Sequence, residues 1–269
     1  MTLKKTILWV LVLSSIIIAC KKVPLTGRRQ LNLISDSEIN SMSFKEYNSF
    51  IKSNRVIRNS PDAEMVKRVG ENISKAVAQI LNEKKQGDML KDFKWEFNLI
   101  ESKEVNAWCM PGGKVVVYTG ILPITMDEEG LAVVMGHEVA HAIARHGSER
   151  MSQGIMQQLG GVALAVALSS KPAETQQLFL AAYGVGSTVG VMLPFSRSHE
   201  SEADQLGLSF MAAAGYNPAV AVDFWQRMSK KSGGQKPDEF LSTHPSDANR
   251  IADIKKHLPA AMKYYKKKN

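Results

Sequence analysis

The chain has 269 residues, of which 44% are hydrophobic and 22% charged, and its formal net charge is +8. This length is enough for one large domain or two small ones, and the two cysteines exclude a scaffold held by several disulfides. The excess of Lys and Arg would by itself permit nucleic-acid binding.

The N-terminus is typical of a secretory signal peptide over residues 1–19. Two lysines precede the apolar run Ile7–Ala19, which is too short to span a membrane as a helix. The stretch Ile17–Cys20 resembles a bacterial lipobox, which predicts cleavage before Cys20 and lipid attachment to that residue. The alternative is a plain signal peptide with an incidental cysteine. We therefore expect a protein anchored by lipid in a bacterial cell envelope, at the periplasmic face of the outer membrane.

Cleavage at this position predicts three parts of the mature chain. Residues 20–34 read as a basic, extended linker, residues 35–262 as one domain, and residues 263–269 as a basic tail. The loss of two lysines lowers the formal charge from +8 to +6. An exported lipoprotein rarely meets nucleic acid, so we expect no nucleic-acid partner and attribute the charge to attraction by anionic lipid head groups. With Cys20 acylated, Cys109 has no partner within the chain.

Two helices are predicted in the first third of the domain. Ser35 and Glu38 have the spacing of a capping box at a helix N-terminus. Residues 61–81 carry apolar side chains at spacings of three and four, which indicates an amphipathic helix, and Pro61 suits its first turn.

Three short strands follow, at Trp95–Ile100, Val105–Trp108 and Lys114–Tyr118, with a turn at Pro111–Gly113 between the last two. A peptide can bind to a protein by adding a strand to an exposed sheet edge. We expect the third strand to offer such an edge to a substrate, through Val115, Val116, Val117 and Tyr118. The alternative is an ordinary core strand.

The stretch Leu131–His146 carries HEVAH within an almost wholly apolar run, and this motif is a zinc-protease signature when it lies on a helix. Thr125 and Glu128 have the spacing of a capping box, and Gly147 is a plausible residue just beyond the helix. The apolar surroundings predict that this helix is buried.

The spacing of the motif assigns a role to each polar side chain. His137 and His141 are four residues apart, so both imidazoles leave one face of the helix and can bind one zinc ion. Glu138 lies about 100° round the helix, where it can take the proton of a water that zinc acidifies. The alternative is chance spacing, which the cost of burying unpaired polar groups disfavours.

Two later apolar stretches are too short to cross a bilayer. Gly160–Ser169 is about ten residues long, against the roughly 20 that a span requires, and predicts a core helix. Leu178–Pro194 is interrupted by glycines and predicts a loop near the site, with a re-entrant membrane segment as the weaker alternative.

A single metal ion needs a third protein ligand, and the stretch from Ser196 to Asp204 offers one. If this stretch is helical, Glu200 and Asp204 share a face, whereas Glu202 points elsewhere. Glu200 can then bind zinc, and Asp204 can orient an imidazole of the motif. The alternative is the charged, solvated start of a helix.

HEVAH followed by SRSHESEAD resembles the M48 family of zinc metallopeptidases. The resemblance extends from LTGRRQ at Leu25–Gln30 to STHP at Ser242–Pro245, with Arg250 beyond it. It implies an α+β, predominantly helical, zincin-like (gluzincin) fold with a small β-sheet beside the HExxH helix. It also implies one zinc ion with ligands His137, His141 and Glu200, with Glu138 as base and Asp204 behind the ligands. The transmembrane helices and the C-terminal repeats of some members are not found in this sequence.

We therefore expect a zinc endopeptidase that cleaves misfolded or unassembled envelope proteins. His244 could stabilise the oxyanion or occupy the open metal position, or it could cap the last helix. Arg250 could supply positive charge to the transition state or pair with an acid. The rival hypothesis is a metal-stabilised chaperone or assembly factor without proteolytic activity. An enzyme acting on glycan or lipid ranks last, because no paired carboxylates have a suitable spacing.

Overall fold

The computed structural model describes residues 20–159, 172–183, 196–231, 239–244 and 248–266. The described part confirms an α+β fold that is mostly helical with small sheets. The helices are α1 Asp36–Ser53, α2 Pro61–Glu83, α3 Leu122–Thr125, α4 Glu128–Ile143, α5 His146–Leu159, α6 Pro172–Tyr183, α7 Arg197–Ala213, α8 Val220–Lys231, α9 Glu239–Thr243 and α10 Ala248–Ala261. The strands are β1 Cys20–Lys22, β2 Arg29–Leu31, β3 Val56–Ile57, β4 Glu96–Ile100, β5 Ala107–Met110 and β6 Lys114–Tyr118.

The larger sheet has the order β3-β4-β6-β5. β6 pairs in parallel with β4, with Val116 opposite Asn98, and antiparallel with β5, with Val116 opposite Trp108. The predicted exposed edge at Val115–Tyr118 is therefore wrong, since both edges of β6 are already paired. Among the described strands, β5 ends the sheet on the side next to α4.

The HEVAH helix, α4, is almost completely buried, as predicted. Its N-terminus differs from the prediction: Asp127 caps the helix by accepting a hydrogen bond from the Gly130 amide at 2.8 Å. The helix also ends earlier, because Arg145 adopts φ 58° and α5 begins at His146. Gly147 therefore lies inside α5, and the chain turns sharply only four residues after His141.

Residues 20–34, expected as a linker, pack against the domain. β1 and β2 form an antiparallel hairpin, with Lys21 opposite Gln30. Val23 and Ile34 are each 1% exposed, so the segment contributes side chains to the core. The capping box of Ser35 and Glu38 at the start of α1 is confirmed, with both reciprocal hydrogen bonds formed.

The backbones of α4 and α7 meet at a pair of glycines, Gly136 and Gly207. A methyl group on Gly136 would lie 2.9 Å from the carbonyl oxygen of Gly207. This approach is closer than any residue with a Cβ permits, and it brings side chains of α7 up to the two histidines of α4.

Several predicted features lie outside the described residues: the signal peptide over 1–19, the stretch Gly160–Ser169, most of Leu178–Pro194, Pro245 and the last three residues of the tail. None of the helices within the described ranges combines the length and the apolar character that crossing a membrane would require.

Candidate metal centre

Four buried side chains converge at one point of the fold: His137, His141, Glu200 and His244. One potential ligand atom of each lies within 4.8 Å of those of the other three. Nε2 of His137 is 3.0 Å from Nε2 of His141 and 3.2 Å from Nδ1 of His244. Glu200 Oε1 is 3.3 Å from His141 Nε2 and 3.0 Å from His244 Nδ1. The four residues come from α4, α7 and the residue after α9.

Local structure places each member of this cluster. The four-residue spacing puts His137 and His141 on one face of α4, as predicted. Ser196 accepts a hydrogen bond from the His199 amide and caps α7, so Glu200 projects from the first turn of that helix. His244 is packed against the ring of Phe240, with centroids 4.7 Å apart. Its imidazole thus belongs to the cluster.

Asp204 contacts His137 on the side opposite the cluster, and Arg250 connects Asp204 with Glu200. Asp204 Oδ1 lies 2.9 Å from His137 Nδ1, as expected for a carboxylate behind a metal ligand. Arg250 donates Nε and Nη2 to the two oxygens of Asp204, each at 2.8 Å. Its Nη1 lies 2.7 Å from Glu200 Oε2, and its guanidinium lies 3.4 Å above the centre of a Trp225 ring. Arg250 therefore pairs with acids, the second of the two roles predicted for it.

The donor set fits a transition metal. A hydrogen bond from Nδ1 of His137 to Asp204 leaves its Nε2 with a lone pair directed at the cluster. Three imidazoles and one carboxylate are ligands that zinc prefers. Burial lowers the pKa of His137, but the charges of Asp204 and Glu200 outweigh burial and raise that pKa to about 9. The centre thus favours positive charge, which a proton or a metal ion can supply.

The electrostatics of Glu200 and Glu138 differ in a way that suits two roles. Burial would raise the pKa of Glu200, but His244, Arg250 and His137 hold it well below its ordinary value, so Glu200 stays ionised. Burial raises the pKa of Glu138. Its Oε1 lies 3.4 Å from His244 Nε2 and has no hydrogen-bond partner within the described part of the chain. A carboxyl of this kind can accept a proton from a group placed beside it.

His141 is supported from behind by His146 and Glu202, neither of which was predicted from the sequence to take part in the site. Nδ1 of His141 meets Nδ1 of His146 at 2.9 Å, and Nε2 of His146 meets Glu202 Oε2 at 2.9 Å. Burial lowers the pKa of His146 to about 4, so this imidazole is neutral near pH 7. Glu202 was expected to point away from the cluster, and it does, but towards His146. The only signal in the sequence was a third histidine, five residues after His141, in the same apolar stretch.

Arg28 of the N-terminal hairpin contacts two acidic side chains next to His146, namely Glu202 and Glu149. Its Nε lies 2.8 Å from Glu202 Oε2, and its Nη2 lies 2.7 Å from Glu149 Oε2. Burial would raise the pKa of Glu149, but hydrogen bonds from His199 and Arg28 lower it to about 2. The pKa of Glu202 is also about 2, because hydrogen bonds from His146, Thr26 and Arg28 outweigh its burial.

A model of the family described as Peptidase family M48 matches residues 68–258, more than half of the chain. The chain is 34% identical to the mitochondrial metalloendopeptidase OMA1 of Schizosaccharomyces pombe, over 89% of this chain and 67% of that protein. It is 30% identical to the OMA1 metalloendopeptidase of Bos taurus, over 89% of this chain and 46% of that protein. It is 29% identical to the β-barrel assembly-enhancing protease of Escherichia coli, over 60% of this chain and 34% of that protein. The chain thus spans between about a third and two thirds of the length of these relatives.

These comparisons contradict the predicted location at the periplasmic face of a bacterial outer membrane. The relatives with 34% identity are mitochondrial proteins of Schizosaccharomyces pombe and Saccharomyces cerevisiae. The prediction rested on the few residues that define a lipobox, and a short apolar leader ending in cysteine does not specify a compartment.

The geometry and the family match point to the same family. The HExxH helix supplies two imidazoles, a second helix supplies the carboxylate of Glu200, and the family model matches residues 68–258. The chain therefore belongs to peptidase family M48, a family of zinc metallopeptidases.

Proposed function

We propose that this protein is a zinc-dependent endopeptidase in which His137, His141 and Glu200 bind one zinc ion and Glu138 is the general base. The observation that carries the proposal is the convergence of the buried donors within 4.8 Å, with the carboxyl of Glu138 beside them. A structural zinc site is usually closed by four protein ligands and needs no neighbouring base, whereas a catalytic site keeps a position open.

The chain's own residues supply the proton transfers. Zinc, when bound, would polarise the scissile carbonyl and acidify a water molecule. Glu138 accepts a proton from the attacking water as the oxygen of that water bonds to the carbonyl carbon. Glu138 then delivers the proton to the amide nitrogen as the C–N bond breaks, so that a carboxylic acid and an amine result. The raised pKa of Glu138 favours the first of these transfers, because a carboxylate with a higher pKa is the stronger base.

His244 has the geometry to act on the reacting carbonyl. Its Nε2 faces Glu138 at 3.4 Å and its Nδ1 faces Glu200 at 3.0 Å, so it borders the space between the base and the ligands. We propose that His244 lies at the open metal position before substrate binds and donates a hydrogen bond to the oxyanion afterwards. Arg250 acts differently, because its guanidinium donates hydrogen bonds to Asp204 and forms an ion pair with Glu200. We propose that it stabilises the transition state only by keeping those two carboxylates in place.

The substrates proposed are polypeptides that are misfolded or unassembled, since such chains present extended backbone. The names of the relatives are those of endopeptidases, which supports protein substrates. The docking strand predicted from sequence is replaced by β5, which ends the described sheet and runs beside α4. A substrate strand would add to β5 with its scissile bond near Glu138.

The test of this function compares Glu138→Gln with Glu64→Gln. Glu138→Gln removes the base while keeping the size of the side chain, so we expect zinc content to be unchanged and cleavage of an unfolded protein such as reduced casein to fall by at least 100-fold. Glu64 is exposed on α2, and its substitution removes a similar charge at a distance. Cleavage by Glu138→Gln at the wild-type rate would refute the assignment. A Glu138→Gln protein that does not cleave but still prevents aggregation of an unfolded client as well as the wild type would support the chaperone alternative.

Attachment to a membrane through a lipid on Cys20 is a separate proposal, which rests on the motif Ile17–Cys20. Mass spectrometry of the mature protein should find an acylated N-terminal Cys20, and Cys20→Ser should move the protein to the soluble fraction. An unmodified Cys20 in membrane-bound protein would contradict it.

A further inference from the structure

The two histidines of the HEVAH motif are supported from behind in different ways. Nδ1 of His137 meets the carboxylate of Asp204, the usual partner of a metal-binding histidine. Nδ1 of His141 meets the imidazole of His146 instead, at 2.9 Å. An imidazole can accept this hydrogen bond only through a nitrogen that carries no proton, so the support of His141 depends on the tautomer of His146.

Glu202 fixes that tautomer. Its carboxylate lies 2.9 Å from Nε2 of His146, and an ionised carboxylate only accepts hydrogen bonds. Nε2 of His146 must therefore carry the proton, which leaves Nδ1 of His146 to accept from Nδ1 of His141. Nε2 of His141 is then the nitrogen with a lone pair, and it is the nitrogen that faces His137 and Glu200.

Arg28 fixes the position of Glu202. Its guanidinium lies between the carboxylates of Glu202 on α7 and Glu149 on α5, at 2.8 and 2.7 Å. The hydroxyl of Thr26 donates a further short hydrogen bond to Glu202. Planar donors that reach two carboxylates are a property of arginine that lysine lacks.

The turn that carries Arg28 is itself held rigidly. The amide of Val23 donates to the carbonyl of Arg28 at 2.7 Å, and the amide of Gly27 donates to the carbonyl of Val23 at 2.9 Å. Gly27 has φ 73°, which a residue with a side chain adopts only with strain. The turn and the buried Val23 together place Arg28 against the two acidic side chains.

We propose that Arg28 is a positioning residue for the metal centre, acting through Glu202 and His146 on the ligand His141. The inference rests on the proposed metal-binding role of His141. In this arrangement the N-terminal hairpin is part of the active site, although it precedes the HEVAH motif by more than a hundred residues. A protein that lost residues 20–31 would keep its zinc ligands but bind zinc more weakly.

The experiment measures zinc affinity by competition with a chromophoric chelator in Arg28→Ala, Glu202→Gln and the control Arg29→Ala. Arg29 is the next residue of the same hairpin, and it is exposed. Loss of an interaction behind a metal ligand typically weakens metal affinity by about 10- to 100-fold. We expect that loss for Arg28→Ala and Glu202→Gln, with no change for Arg29→Ala. Cobalt-substituted protein should show an altered visible spectrum in the same two variants, which a purely structural role of Arg28 would leave unchanged.

Two further variants keep the inference testable. Arg28→Lys retains a positive charge and is the variant to use if Arg28→Ala does not fold. We expect it to restore only part of the affinity, because lysine cannot hold both carboxylates in the same geometry. In a His146→Ala background, Arg28→Ala should have no additional effect on zinc affinity, because the connection to His141 is already cut.

Three results would overturn the inference: folded Arg28 variants with wild-type zinc affinity, an equal loss in Arg29→Ala, or full additivity of Arg28→Ala with His146→Ala. All of these presuppose wild-type protein that binds zinc. Failure of the wild type itself to bind zinc would refute the proposed function instead, so the two failures are distinguishable.

Discussion

The close contact between α4 and α7 at Gly136 and Gly207 can be tested by adding a single methyl group, in the variant Gly136→Ala. In Gly136→Ala the new Cβ would lie 2.9 Å from the carbonyl oxygen of Gly207, whereas ordinary contact begins near 3.4 Å. The backbones of α4 and α7 must therefore separate by about 0.5 Å, and overpacking of this kind costs roughly 1–3 kcal/mol. The same movement would lengthen the 2.9 Å contact between His137 and Asp204 beyond good hydrogen-bonding distance.

Two quantities should therefore fall together in Gly136→Ala. We expect the free energy of unfolding, measured by urea denaturation of metal-free protein, to fall by about 1–3 kcal/mol. We expect the zinc affinity to fall by about 10- to 100-fold, as for other losses behind a ligand.

The matched control is Gly154→Ala, which also adds a methyl group within a helix. There the methyl group meets only the end of the Leu178 side chain, which can move aside. Because alanine is a better helix former than glycine by about 1 kcal/mol, this variant should be as stable as the wild type or more so. If Gly136→Ala had the zinc affinity and stability of the wild type, the close contact between the backbones of α4 and α7 at Gly136 and Gly207 would be contradicted.

Three further predictions concern stability and reactivity. Glu149 and Glu202 have a pKa of about 2 in the folded protein, below the ordinary 4.5. Their contribution to stability should be complete above about pH 4.5 and lost as the pH falls towards 2. Urea denaturation of metal-free protein at a series of pH values should show the free energy of unfolding falling between about pH 4.5 and 2. Glu149→Gln should make this fall smaller, and an equal fall in variant and wild type would contradict the lowered pKa of Glu149. Burial raises the pKa of the Cys109 thiol, so a thiol reagent should label native protein slowly and urea-unfolded protein quickly; rapid labelling without urea would show an open β5. Ser35→Ala removes the hydroxyl that caps α1 and should cost about 1 kcal/mol in urea denaturation, whereas Ser35→Thr should recover most of it; equal losses would argue against the cap.

Features set by neighbouring residues could be predicted from the sequence. The helical period places His137 and His141 on one face, and the same argument places Glu200 and Asp204 together on another helix. The extent of β6 and the capping box at Ser35 also follow from local patterns. Each depends on dihedral angles and hydrogen bonds over only a few residues, so the sequence contains the relevant information directly.

Features set by distant pairs depended on the tertiary structure. The β-branched residues within Lys114–Tyr118 predict a strand, but they do not reveal that partners occupy both its edges. The contact of Arg28 with Glu202 joins residues 174 positions apart, and no local pattern relates them. The absence of side chains at Gly136 and Gly207 acquires a meaning only when the two helices cross. The sequence alone thus determined which groups could perform the chemistry, whereas the packing of helices and strands decided which of them meet, because burial and contact are properties of the whole chain.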